Sequence, residues 1–287
     1  MDSWYFPALL ALLLMGIQRF FYKVAAERNY PTQWVTFAFM ATVTLLSGGT
    51  YLFQQHHAVN IGVLATIALI NSISFLVATV SHIEALKYIP ANIAYSIIRL
   101  NVIVVAVFSI VYFKEHISLL QGIGLLTAIA AMVVLTIQMG ADNTTPLQRK
   151  RQGAVFIILA LLSGSAASIS SKFAAVYTDK LAFMALSYLM GVIGSLAINK
   201  VVTHHKTTTS RWPALGLGMV MGGFNFTGFY AFLYALERGP LSLIAAIVGM
   251  HFVIAIILSA LIYHEKVRPA GLVGILLTIL SIVLIRI

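Results

Sequence analysis

Forty residues of this chain occur twice, 150 positions apart. Ala85 to Gly124 reads ALKYIPANIAYSIIRLNVIVVAVFSIVYFKEHISLLQGIG, and Ala235 to Gly274 reads ALERGPLSLIAAIVGMHFVIAIILSALIYHEKVRPAGLVG. Aligned without a gap, the copies share Ala85/Ala235, Leu86/Leu236, Pro90/Pro240, Ile97/Ile247, Ser109/Ser259, Glu115/Glu265 and Gly124/Gly274. Seven identities are few, but breakers, charges and apolar runs stay in step throughout. Upstream, Lys23-Val-Ala-Ala returns as Lys172-Phe-Ala-Ala at an offset of 149. The register is that of a tandem duplication, which calls for a fold made of two like halves.

Hydropathy says what each half contains. Sixty per cent of the residues are apolar, 9% are charged, and the mean hydropathy is +0.96. Soluble domains lie far from those values. Apolar runs near ~20 residues, the length that crosses a bilayer, fit ten spans at about 4–26, 32–54, 60–83, 90–113, 117–138, 153–173, 180–202, 212–236, 240–263 and 267–286. Lipid offers no partner for open backbone groups, and the runs are too long and too uniformly apolar for barrel strands, so helices are expected. Five spans per copy is an odd number, which sends the second copy into the membrane from the opposite face. The expected fold is an all-α integral membrane protein with ten transmembrane helices in two inverted five-helix repeats. The first repeat takes residues 1–139, a polar linker 140–152, and the second repeat 153–287.

The first apolar run follows Asp2 rather than a basic segment and shows no small-residue cleavage site. It reads as a retained transmembrane helix. A net charge of +10 could suggest nucleic acid in a soluble chain. Here Lys and Arg sit mainly at span ends, where they orient the chain and meet anionic headgroups, so no nucleic-acid partner is implied. Outside Arg99, the odd-numbered connectors hold twelve Lys and Arg, against five for the even ones with the termini. By the positive-inside rule both termini lie outside the cytoplasm. Trp4, Trp34, Trp212, Tyr5, Tyr30, Tyr88, Tyr112 and Tyr263 fall at span ends, as an interfacial aromatic belt would. Gly216, Gly218, Gly222 and Gly223 thin the eighth span, and Gly218-x-x-x-Gly222 permits close helix contact. With no cysteine, disulfides, thiolate metal sites and cysteine nucleophiles are excluded.

The duplicated order (Ala-Leu, turn, Pro, long apolar helix, Glu, apolar helix with Gly) resembles the repeat of the drug/metabolite transporter superfamily. The match is to the ten-helix branch built from two EamA-type domains, at about 4–138 and 153–286. That resemblance implies a cavity bounded by the third, fourth, eighth and ninth helices with the first and sixth, opening alternately to each side. It also implies cytoplasmic termini, opposite to the charge count. Such repeats often carry Pro about thirteen residues before the Glu, where this chain has Val102 and Phe252.

Polar residues inside apolar spans are the candidate site. Arg99 lies nine residues after Pro90 and fourteen before Phe113. A mid-bilayer arginine costs about 2.5–3.5 kcal/mol on insertion scales, so it belongs against a partner or a wet cavity. Asn92, Tyr95 and Ser96 precede it by seven, four and three residues, on one helix face. A guanidinium there suits a carboxylate or phosphate; the alternative is a structural arginine bonded to neighbouring carbonyls. His251, at the repeat position of Asn101, is either a substrate contact or proton carrier, or a neutral packed histidine. Positions 99 and 101 differ by about 200° on a continuous helix, which sets His251 away from the face of Arg99. Asn71, Asn225 and Ser168 are further substrate-binding candidates, with His82 beside them. Ser163, Ser165, Ser168, Ser170 and Ser171 either line a polar path or let helices approach. Glu115 and Glu265 read as structural groups at basic connectors, with coupling carboxylates as the alternative. Arg19 and Lys23 read as snorkelling to the interface.

His56-His57 and His204-His205 lack further ligands for a metal site. No G-x-x-x-x-G-K-[ST], H-E-x-x-H or G-x-S-x-G motif is present, so no ATPase or hydrolase signature exists. The expected function is a secondary transporter, an exporter or exchanger, of a small metabolite such as an amino acid or organic anion. It is not an enzyme and needs no cofactor or metal. Its partners would be the small-molecule substrate, the bilayer of the cell membrane, and a proton or counter-substrate, with the protein a monomer or homodimer. The alternatives are a flippase for a lipid-linked headgroup and a membrane-embedded enzyme or assembly partner.

Overall fold

The computed structural model describes residues 3–28, 30–54, 60–88, 97–137, 147–202, 211–263 and 269–287. Every regular element among them is a helix. These are α1 (Tyr5–Glu27), α2 (Thr32–Phe53), α3 (Ile61–Tyr88), α4 (Asn101–Tyr112), α5 (Leu119–Ile137), α6 (Leu147–Tyr177), α7 (Lys180–Val202), α8 (Arg211–Arg238), α9 (Leu241–Gly249), α10 (Phe252–Tyr263) and α11 (Pro269–Arg286). Helix α6 begins inside the stretch expected as linker, so residues 147–152 are helical. The ninth span is not one helix but two, α9 and α10, parted at Met250 and His251. Among the described residues, six segments are long and apolar enough to cross a membrane: Tyr5–Tyr22, Gln33–Phe53, Ile61–Ala78, Gln152–Tyr177, Arg211–Arg238 and Leu241–Tyr263. Ile97–Tyr112, Leu119–Val134, Lys180–Leu196 and Gly271–Arg286 are shorter apolar helices.

The packing repeats the duplication. Helix α3 lies on α6 as its counterpart α8 lies on α1, and α2 lies on α8 as α7 lies on α3. Likewise α1 meets α10 as α6 meets α4. Of the other inter-repeat contacts, α2 with α7 and α5 with α11 join counterparts, and α9 meets α1, α4 and α5. Exchanging the halves maps each of these paired contacts onto its partner, as a twofold axis requires. Counterparts run antiparallel. Gly191 faces Met40 while Gly48 faces Ala185, and the start of α5 meets the end of α11 where the Ser281 hydroxyl donates to the Gly124 carbonyl at 2.8 Å. A twofold that reverses helix direction lies perpendicular to the helices.

Small residues set the closest approaches. A Cβ on Gly218 would stand 2.5 Å from the Val35 carbonyl, and one on Gly222 would stand 2.6 Å from Thr42 Cβ. Gly216 and Gly223 meet nothing within 4 Å. The G-x-x-x-G pair thus holds α8 against α2, while the flanking glycines do not pack. Trp4 departs from the aromatic belt. It is buried, its indole filling the space a Gly239 side chain would need, whereas Trp212 is exposed.

Candidate functional site

Two helix interruptions occupy the same place in the repeat. In the first copy the Leu100 N–H donates to the Ile97 carbonyl at 3.0 Å, and Ile103 donates to Leu100 at 2.9 Å. In the second, Met250 donates to Ile247 at 3.1 Å, and Val253 to Met250 at 3.0 Å. Each is the other shifted by 150 residues. Three-residue spacing tightens the turn and breaks the regular ladder. Neither break contains proline. Each falls two residues before Val102 or Phe252, the positions where similar repeats often carry it.

The breaks adjoin. The Arg99 guanidinium lies 3.6 Å from the Phe252 ring centroid, across from the first break to the second. A Gly249 Cβ would stand 3.3 Å from Val102 and 2.9 Å from Met132, so glycine permits this approach. His251 Nδ1 lies 2.7 Å from the Val248 carbonyl. A carbonyl only accepts, so Nδ1 carries the proton and, in the neutral ring, Nε2 offers its lone pair. The 200° separation expected for positions 99 and 101 presumes an unbroken helix. With the break at Leu100 and at Met250, that angle no longer separates Arg99 from the surroundings of His251.

Each break also touches the first helix of the other repeat. The His251 carbonyl would be 2.5 Å from a Cβ on Gly16 of α1. Correspondingly, the Asn101 carbonyl accepts from Ser165 of α6 at 3.4 Å. One turn beyond Gly16 stands Arg19, an exposed side chain whose guanidinium lies 5.5 Å from the Tyr22 ring centroid.

Asn225 belongs to a buried chain of hydrogen bonds. The Tyr188 phenol donates to Asn225 Oδ1 at 2.5 Å, and Asn225 Nδ2 donates to Gln18 Oε1 at 2.9 Å. That polarity leaves the Gln18 amide nitrogen as an available donor, next to Arg19. Neither Gln18 nor Tyr188 was among the sequence candidates. Gln18 carried a signal, a polar residue inside an apolar run. Tyr188 carried none, because a lone tyrosine in a membrane helix is unremarkable.

Asn71 is engaged elsewhere. Its amide nitrogen faces the Ala167 carbonyl and the Ser170 hydroxyl at 2.9 Å, and the Ser171 hydroxyl at 3.1 Å, tying α3 to α6. Ser168 donates to the Gly164 carbonyl of its own helix at 3.2 Å, and Ser165 to Leu161 at 2.8 Å. Asn92, Tyr95 and Ser96 lie outside the described residues, as do Pro90, Glu265, His56-His57, His204-His205 and the side chains of His82 and Lys23.

The turn between α8 and α9 is held at both ends by charged side chains. Lys172 of α6 is buried and donates to the Leu236 carbonyl at 2.5 Å and the Gly239 carbonyl at 2.8 Å. Both acceptors lie at a helix C-terminus, where a cation is favoured. Glu115 accepts from the Leu241 N–H at 2.6 Å, the Ser242 N–H at 3.3 Å and the Ser242 hydroxyl at 2.7 Å. Lys114 before it has φ 52°, the left-handed conformation that ends helices and turns the chain.

Residues 2–137 and 151–287 each match the model of the EamA-like transporter family. The chain belongs to that family. Its two matched stretches are the two repeats, and the EamA-like chain is accordingly a multi-pass membrane protein and a transporter of small solutes. A solved crystal structure of a protein has the same fold, with a TM-score of 0.78 and 16% identity. That similarity covers 100% of this chain and 99% of the other. None of the curated proteins matches it.

Proposed function

We propose that this EamA-like protein is a secondary transporter, an exporter or exchanger, of a small metabolite such as an amino acid or organic anion. It would work by alternating access in the cell membrane. The ten helical segments, two of them interrupted, would be ten spans forming two inverted five-helix repeats. What carries the reading is the meeting of the two symmetry-related breaks, with Arg99 of one reaching Phe252 of the other. Interrupted helices expose backbone groups and ionisable side chains partway through a bilayer, a feature of carrier sites. A twofold-related pair also supplies two equivalent conformations, because either half can take the role of the other.

Counterflow into proteoliposomes tests the proposal. Vesicles preloaded with unlabelled amino acids or organic anions are expected to accumulate the labelled solute, and Arg99→Ala is expected to abolish that accumulation. Absence of flux for every solute in a folded, correctly inserted protein would overturn it. An apolar crevice between α1 and α8, lined by Phe6, Pro7, Leu10, Tyr230, Ala231 and Tyr234, supports a second reading, movement of a lipid-linked headgroup. Scrambling of a fluorescent lipid-linked saccharide without solute counterflow would favour it.

A further inference from the structure

We propose that Glu115 is a latch: its grip on the α8–α9 turn holds the seam between α4 and α9 shut toward one membrane face, and its release opens that seam. The inference rests on the alternating-access reading above and names the residue that fastens one face.

Helices α4 and α9 belong to different repeats and lie against each other in opposite directions. At one end of the seam Val102, near the start of α4, would be 3.3 Å from a Cβ on Gly249, the last residue of α9. At the other end Glu115, just past α4, accepts from the Leu241 N–H at 2.6 Å and the Ser242 hydroxyl at 2.7 Å. Between these points the buried face of α4 carries Val102, Val105, Ala106 and Ser109, spaced as one helix face. Opposite it, every residue of α9 from Leu241 to Val248 is buried. The first end of the seam holds the two helix breaks, where Arg99 stacks on Phe252. The second is the turn at the membrane face, where Phe113 and Phe173 also pack, 5.4 Å apart. The seam is therefore the wall between the candidate site and that face, apolar along its length and fastened by a carboxylate at its rim.

The fastening is of a kind that can be undone. Glu115 meets N–H groups of a first helical turn, and at a membrane face water can take its place. Lys172 would travel with the turn, since both of its carbonyl acceptors belong to its own repeat. Ser109 adds an independent sign. Its hydroxyl is fully buried in the seam and has no hydrogen-bond partner among the described residues. A hydroxyl without a partner is unfavourable in a seam that stays dry, and water entering an open seam would satisfy it. The sequence holds each of these parts twice: Glu115 returns as Glu265, Ser109 as Ser259, and Pro240 at the start of the capped helix matches Pro90. An inverted repeat that exchanges the roles of its halves uses one such set per face.

The chain has no cysteine, so Ser109→Cys by itself reports on the seam, replacing a hydroxyl that makes no hydrogen bond. Its rate of maleimide labelling is measured in lipid nanodiscs and normalised to the unfolded protein. Labelling is expected to be slow with both glutamates present. Glu115→Gln is expected to accelerate it at least about fivefold, and Glu265→Gln to slow it about twofold or more, because the two substitutions shift one equilibrium in opposite directions. Acceleration by Glu115→Gln without slowing by Glu265→Gln overturns the inference, since loss of a purely structural cap would give that result. Equal rates in all three proteins overturn it as well. Opposite shifts without counterflow of any solute would leave the latch standing and remove the transport reading. Counterflow with labelling indifferent to both substitutions would do the reverse.

Discussion

Glu115 closes the first turn of a helix that begins 126 residues later, its carboxylate 2.6 Å from the Leu241 N–H. The N-cap residue of that helix, Pro240, makes no side-chain cap bond, so a carboxylate from the other repeat supplies the missing acceptor. Lys172 grips the preceding carbonyls of the same turn. The point where α8 becomes α9 is therefore fastened to α4 and α6 by opposite charges matched to opposite helix ends. A link of this kind fixes the turn that leads into the interrupted helix.

Replacing Glu115 tests that assignment. Glu115→Ala removes acceptors for two backbone N–H groups and a hydroxyl, and should cost about 1–2 kcal/mol, the range for losing a helix cap. Glu115→Gln keeps one oxygen but no charge, and should cost roughly half as much. Thermal unfolding in detergent is expected to rank the parent above Gln above Ala. A coupling carboxylate would behave otherwise: Gln would abolish flux with stability unchanged.

The duplicated pattern was enough to locate the helices, because hydropathy and breakers act locally along the chain. Lys172 shows where that kind of reading stops. The sequence displays it only as an echo of Lys23, since its acceptors are backbone carbonyls 64 and 67 residues away. Glu115 was legible as a structural group from its place at a connector, but not the helix it serves. Interruption of the ninth span was equally hidden. Its residues, Gly249-Met250-His251, contain no proline, and the helices that α9 and α10 pack against, α1, α4 and α5, are distant in the chain.

Within α8 four glycines should divide into two pairs. Gly218→Ala and Gly222→Ala drive a methyl group into α2, against a backbone carbonyl in the first case and Thr42 in the second. Backbone cannot yield as a side-chain tip can, so each should cost about 1–3 kcal/mol, with Gly218 the larger. Gly216→Ala and Gly223→Ala face open space. They should be neutral, or stabilise by up to about 0.5–1 kcal/mol through helix preference. Thermal unfolding of the four single variants decides this, and equal losses at all four would show that the α2–α8 contact is misassigned.

The breaks also make a prediction about proline. Val102 is the second residue of α4, just past the interruption at Leu100. In a first helical turn the N–H groups have few intrahelical partners, so proline forfeits little there. Ala106 lies one turn further, inside the regular ladder, where proline costs about 3 kcal/mol or more. Both side chains are buried, at 5% and 4% exposure, so the comparison is not one of surface against core. Val102→Pro is therefore expected to retain most of the parent's thermal stability and its counterflow. Ala106→Pro is expected to lose both, with a gap of about 2 kcal/mol or more between the variants. If the two prolines proved equally damaging, α4 would have to continue unbroken through Leu100, and the symmetry of the two interruptions would be lost with it.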